Sequence, residues 1–168
     1  MARADWLEAG AAVLAGGGAA ALTIERLCTL TGRTKGSFYH HFKAMGGFEK
    51  ALLGHWAEAN ADRVAEAEPE RDALDHLALG LESGLETAVR RWAAVNVDAR
   101  QAVLKVDELR VAFLASLIAG SRPALTAGQA ADLARLEYAA FLGLMDLVQD
   151  AEELSRLMAL LRLSLEKA

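Results

Sequence analysis

The sequence predicts an all-α chain, with a three-helix domain containing a helix-turn-helix at its N-terminus and a larger helical domain behind it. Three observations carry that prediction. Ala, Leu, Glu and Arg dominate the 168 residues, with only two isoleucines and two prolines, a composition that favours helix over strand. Apolar residues recur at three- and four-residue spacing along most of the chain, which is the period of one helix face. Glycine, proline and capping signals cut that pattern into segments of helical length.

Asp5 and Glu8 have the D-x-x-E form of a capping box. Trp6, Gly10, Val13 and Leu14 follow at helical spacing, so a first helix is expected to about Ala15, ended by Gly16-Gly17-Gly18. Thr23 is a good N-cap for a second helix, with Ile24, Leu27, Cys28 and Leu30 on its apolar face and Gly32 to close it. Thr34 caps a third, short helix from Lys35 to Phe42. Phe38 and Phe42, four apart, share the face that must point inward. A fourth helix starts near Gly46-Gly47 and runs through Phe48, Leu52, Leu53 and Trp56 toward Ala67. Five more helices are expected after Pro69. They hold Leu74, Leu77, Ala78 and Leu81; Ser83 to Trp92; Asn96 or Asp98 to Gly120; Thr126 to about Gln149; and Glu152 to Glu166. The expected domains are residues 1–54 and 55–168.

Charge is distributed unevenly. The chain has a net charge of −5, yet residues 1–54 carry six bases against four acids and the remainder 12 against 19. From Arg26 to Phe48 there is no Asp or Glu, while Arg26, Arg33, Lys35 and Lys43 all fall there, beside His40 and His41. An acidic protein can still bind nucleic acid when its basic charge is focused on one face. A recognition helix must present polar groups at its N-terminal end while the opposite face anchors it. Lys35 and Ser37 occupy that end. Tyr39 and His40, a turn further on, are placed to reach phosphates. Thr23 and Thr34 cap helix N-termini, whose free N–H groups also favour a phosphate. The competing reading of the same composition is an ordinary exposed basic helix after a glycine turn.

The run TKGSFYHHF, preceded by LTIERLCTLTG and by an amphipathic helix ending in glycines, resembles the tetracycline-repressor (TetR) family of bacterial transcriptional regulators over about Asp5 to Trp56. VRRWAA and LARLEYAAFLGL are weaker echoes of that family's regulatory domains. Two positions depart from the pattern: Arg33 stands where the family usually has a small apolar turn residue, and Met45 where it usually has a basic one. The resemblance implies a DNA-binding domain joined by the fourth helix to a helical ligand-binding and dimerisation domain. It implies DNA contacts at Thr23, Thr34, Lys35, Gly36, Ser37, Tyr39 and His40. Lys35, Ser37 and Gly36 would face bases, and Tyr39, His40 and Thr23 would hold phosphates. It implies a dimeric regulator, a repressor released from a double-stranded DNA operator by a small apolar or amphipathic effector. The second reading is a helical protein–protein interaction module with a degenerate helix-turn-helix.

The helices near 126–149 and 152–166 carry more apolar surface than a monomer's outer layer needs. Tyr138 to Met145 is apolar all round, and Leu154, Leu157, Met158, Leu160, Leu161, Leu163 and Leu165 cover a wide arc. A helix apolar on every side is buried on every side. A second copy can cover the outer face, giving a two-fold homodimer; a central core helix in a monomer is the alternative. Trp56, Leu77, Trp92, Phe113, Tyr138 and Phe141 are candidate ligand-lining residues by helix placement, with plain core packing as the competing role.

Other chemistry finds little support. Cys28 is the only cysteine, so an intramolecular disulfide is impossible. Adjacent His40 and His41 point in different directions, and no metal site is expected. No P-loop, G-x-S-x-G or H-E-x-x-H occurs, so neither catalysis nor a cofactor is expected. Asp5 and Glu8 argue against a secretory signal. The longest apolar run falls far short of the roughly 20 residues that span a membrane. A cytoplasmic protein is the expectation.

Overall fold

Helix ends fall where short polar side chains and glycines stand. A computed structural model describes residues 3–67, 83–148 and 150–166 of the chain. Over those residues the elements are α1 (Arg3–Gly17), a 3-10 turn (Ala19–Ala21), α2 (Ile24–Thr31), α3 (Lys35–Phe42), α4 (Met45–Glu66), α5 (Ser83–Ala93), α6 (Val97–Ser121), α7 (Ala127–Leu147) and α8 (Ala151–Glu166), with no strand among them. The helix expected after Pro69, with Leu77, lies outside the described residues.

Thr23 Oγ1 accepts from the Arg26 N–H at 3.2 Å, Thr34 Oγ1 from the Ser37 N–H at 3.3 Å, and Asn96 Oδ1 from the Ala99 N–H at 2.9 Å. Thr126 and Gln129 form a complete capping box on α7. These side chains satisfy N–H groups that a helix start leaves without partners. Gly32 ends α2 in the left-handed region, φ 66° and ψ 28°, where a Cβ would be strained. The first helix extends two residues beyond the expected Ala15. The break comes at Gly18, the residue in this run with positive φ (69°), and not at Gly16.

The described residues form two compact units. The first holds α1 to α4 as far as Asp62, α5, and α6 as far as Val106. Its core is built on fully buried Trp6, Leu14, Leu27, Phe38 and Phe48, continues through Leu52 and Trp56, and ends at Trp92, Ala99 and Val106. The second unit holds the end of α4 from Arg63, α6 from Asp107, α7 and α8. Leu114, Ile118, Ala134, Tyr138, Phe141 and Met158 form its core.

The buried polar side chains of that second unit are paired in two sets, as burial requires. Arg162 Nε donates to Glu137 Oε1 at 2.5 Å. Arg110 donates to the Tyr138 hydroxyl at 3.1 Å, and that hydroxyl donates to Asp107 Oδ1 at 2.7 Å. The apolar run of α7 is not buried all round within one chain. Tyr138 and Phe141 are buried, whereas Ala139 and Gly143 are exposed. Helical geometry puts those two on the opposite side of α7.

Candidate nucleic-acid interface

The aromatic cluster under α3 fixes what that helix can present. Phe38 and Phe42 are buried, and their rings lie 5.3 Å apart. Phe38 meets Trp6 of α1 edge-on at 5.5 Å and Phe48 of α4 at 5.5 Å. Aromatic pairs at such separations add to the area they bury. With that face anchored, Lys35, Gly36, Tyr39, His40 and Lys43 are exposed, and Ser37 is half-buried. Thr23 and Thr34 are exposed at the starts of α2 and α3. All seven residues expected at a DNA surface therefore lie on α2 and α3 or at their first caps. His41 is half-buried, its ring 5.9 Å from Phe42.

The turn from α3 into α4 is tight. Lys43 has φ 61° and ψ −39°, and the Ala44 N–H donates to the Phe42 carbonyl at 2.6 Å. That is a γ-turn, a strained shape for a residue with a side chain. A Cβ on Gly47 would overlap the same Phe42 carbonyl oxygen, so glycine lets the first turn of α4 press onto the end of α3. Met45 starts α4 half-buried against the core, which explains an apolar residue there. Gly36 differs from Gly47: a Cβ on it would meet only Thr34 Oγ1, at 3.7 Å. The chain itself leaves that point of α3 open.

One feature of this surface has no signature in sequence spacing. Lys35 Nζ is ion-paired with Glu25, in the first turn of α2. Hydrogen bonding to Glu25, with its charge, raises the Lys35 pKa, and the same bond lowers that of Glu25. Both groups are solvent-exposed, so the pair directs a side chain more than it stabilises the fold. The acid-free run from Arg26 to Phe48 is thus met in space by an acid from just outside it. Of the other cations, Lys50 pairs with Asp98 at 3.6 Å.

Comparison with known proteins agrees with this geometry. Residues 7–51 match the profile of bacterial regulatory proteins, tetR family. That span covers α1 from Leu7, both threonine caps and all of α3. This helix-turn-helix segment is therefore similar to the N-terminal segment of that family. No curated protein sequence is significantly similar to the chain. Among solved structures, the reduced form of NemR from E. coli has a TM-score of 0.77 at 21% identity, over 95% of this chain and 95% of that one. A transcriptional regulator of the TetR/AcrR family has a TM-score of 0.77 at 23% identity, over 96% of each chain. GusR from Salmonella enterica has a TM-score of 0.68 at 17% identity, over 92% of this chain and 85% of that one. At these identities the likeness speaks to the fold. The matched profile is one of regulatory proteins, and a segment of that type implies a DNA-binding transcriptional regulator.

Those of the six candidate ligand-lining residues that are described fall in both compact units. Trp56 and Trp92 are buried in the core of the first unit. Tyr138 and Phe141 are buried in the second, their rings stacked at 6.5 Å, and Phe113 there is half-buried. Leu77 lies outside the described residues. Trp92 also lines a groove of about 650 Å³ beside the end of α1. No helix among the described residues is long and apolar enough to cross a membrane.

Proposed function

We propose that the protein is a homodimeric, cytoplasmic DNA-binding regulator, a repressor released from its operator by a small apolar or amphipathic molecule. The observation that carries the DNA half is the outward face of α3. It is anchored from beneath by Phe38 and Phe42 and presents Lys35, Gly36, Ser37, Tyr39 and His40 within an acid-free run. Lys35, Ser37 and the open backbone at Gly36 are the groups for base edges. Tyr39, His40, Thr23 and Thr34 suit phosphates, which position a protein without specifying sequence.

In this reading residues 1–54 hold the DNA contacts and residues 55–168 serve regulation and dimerisation. Two recognition helices reading successive major grooves must sit roughly 34–36 Å apart. An effector that prefers another spacing lowers DNA affinity by differential binding alone. α4 is the natural carrier of that change, because Gly47 seats it directly on the end of α3.

Binding to the duplex immediately upstream of the protein's own coding region, measured across a salt series, tests the DNA half. The expected result is specific binding that falls steeply with salt as counterions are released. Equal, weak binding to that duplex and to a scrambled one would remove it.

A further inference from the structure

On α5, Gly84, Thr87, Ala88, Arg91 and Trp92 fall at helical spacing and so form one stripe, which Val95 continues in the turn after the helix. The stripe faces residues 15–19, at and just after the end of α1, across the groove of about 650 Å³. All of these residues belong to the first compact unit. At Gly84 the walls are close: a Cβ there would stand 3.7 Å from the Ala15 carbonyl oxygen. Ala88 and Trp92 are buried along the groove, while Val95 at the far end of the stripe is 86% exposed. The volume is that of a small-molecule site.

One charged group stands in this apolar stripe. Arg91 is exposed and makes no ion pair with any described residue, whereas its neighbour Arg90 is held by buried Glu86 at 2.7 Å. The α1 end opposite carries the negative pole of its helix dipole and has no basic residue in its last turn. Arg26 offsets that pole from α2, since its guanidinium lies 3.3 Å from where a Gly17 Cβ would be. The groove therefore sets Ala88 and Trp92 beside a cation that makes no ion pair with any described residue.

We propose that this groove binds a small amphipathic carboxylate, its hydrocarbon body along Ala88 and Trp92 and its anionic group on Arg91. A guanidinium suits a carboxylate because it can donate two parallel hydrogen bonds. The proposal rests on the effector half of the proposed function and gives that effector a chemical class and a place. It is independent of the DNA half. Occupancy would act next to the DNA surface, because α1 supplies the Trp6 that packs on Phe38.

Titration calorimetry on the full chain, without DNA, tests the site. Octanoate and 3-phenylpropanoate are compared with 1-octanol and 3-phenylpropanol. Both acids are expected to bind, and each alcohol to bind about tenfold more weakly. Arg91→Gln, at an exposed position, is expected to weaken the acids by about tenfold without lowering the melting temperature. Ala88→Leu fills the groove and is expected to weaken acids and alcohols together. Absence of acid binding to the unmodified protein, equal affinity for acid and alcohol, or acid affinity unchanged in Arg91→Gln would each overturn the proposal. Operator retention with and without the acids is scored separately, so a protein that binds the acids but no DNA sinks the DNA reading and leaves the site standing.

Discussion

Lys35 shows how one neighbour changes the meaning of a residue. In the sequence it is a cation at the start of a basic helix. In the fold it is tied to Glu25, and both side chains are exposed. A carboxylate beside a DNA-facing lysine repels phosphate and holds the lysine in one direction. Glu25→Gln is expected to tighten binding to random-sequence duplex about two- to fivefold at low salt, the scale of an exposed ion pair. Fluorescence anisotropy on such a duplex reads this directly, and unchanged binding would count against the coupling. Lys35→Ala should cost about 1–3 kcal/mol of operator affinity, and Tyr39→Phe should weaken it by loss of a phosphate contact. Neither should move the melting temperature, because both side chains are exposed.

Tyr138 makes a different residue-scale prediction. Burial pushes its pKa up to about 12, opposed by Arg110 and reinforced by the hydrogen bond to Asp107. A phenol with a raised pKa holds its proton more tightly in the folded state. Its contribution to stability is therefore complete below pH 10 and is lost as pH rises from 10 through about 12. Phenolate absorbance against pH should show a step near 12 that disappears in Tyr138→Phe.

At the scale of elements, the junction of α3 with α4 decides whether the recognition helix is rigid. Paired glycines at 46 and 47 invite a reading as a flexible point. The structure gives Gly47 a packing role, since its missing Cβ makes room for the Phe42 carbonyl, and α4 runs unbroken from Met45 to Glu66. Glycine here permits close approach rather than motion. Gly47→Ala is expected to destabilise the protein by about 2 kcal/mol or more, because backbone must move to admit the methyl group. Chemical denaturation measures it; a shift under about 0.5 kcal/mol would show that the junction is loose.

At the scale of the whole molecule, the apolar surface left by α7 and α8 must be accounted for. Leu136, Leu147, Leu160 and Leu163 are each more than half exposed in one chain. In the proposed dimer, pairing these helices with a second copy would cover such leucines. A stable interface of this kind buries roughly 1,200–2,000 Å². Leu160→Glu combined with Leu163→Glu should convert the protein to a monomer in sedimentation velocity and lower operator affinity in parallel. A monodisperse monomer of the unmodified protein at micromolar concentration would overturn the dimer.

By itself the sequence determined the local architecture of the N-terminal domain. Thr23 and Thr34 as caps, Gly32 as a stop, and Phe38 with Phe42 as the buried face are all legible, because each acts through neighbours within four residues. Helix starts farther along were legible for the same reason at Asn96 and Thr126. What depends on contacts across the chain had no such signal. The Glu25–Lys35 pair spans ten residues and forms only once two helices cross. Gly47 reads as a flexible point until the Phe42 carbonyl is seen beside it. Arg91 reads as a helix-surface charge until the end of α1 is placed opposite. The candidate lining residues share helix periodicity, which does not say which core each joins: Trp56 and Trp92 pack in one, and Tyr138 and Phe141 in another. Periodicity fixes which side of a helix is apolar; only the tertiary structure decides what that side touches.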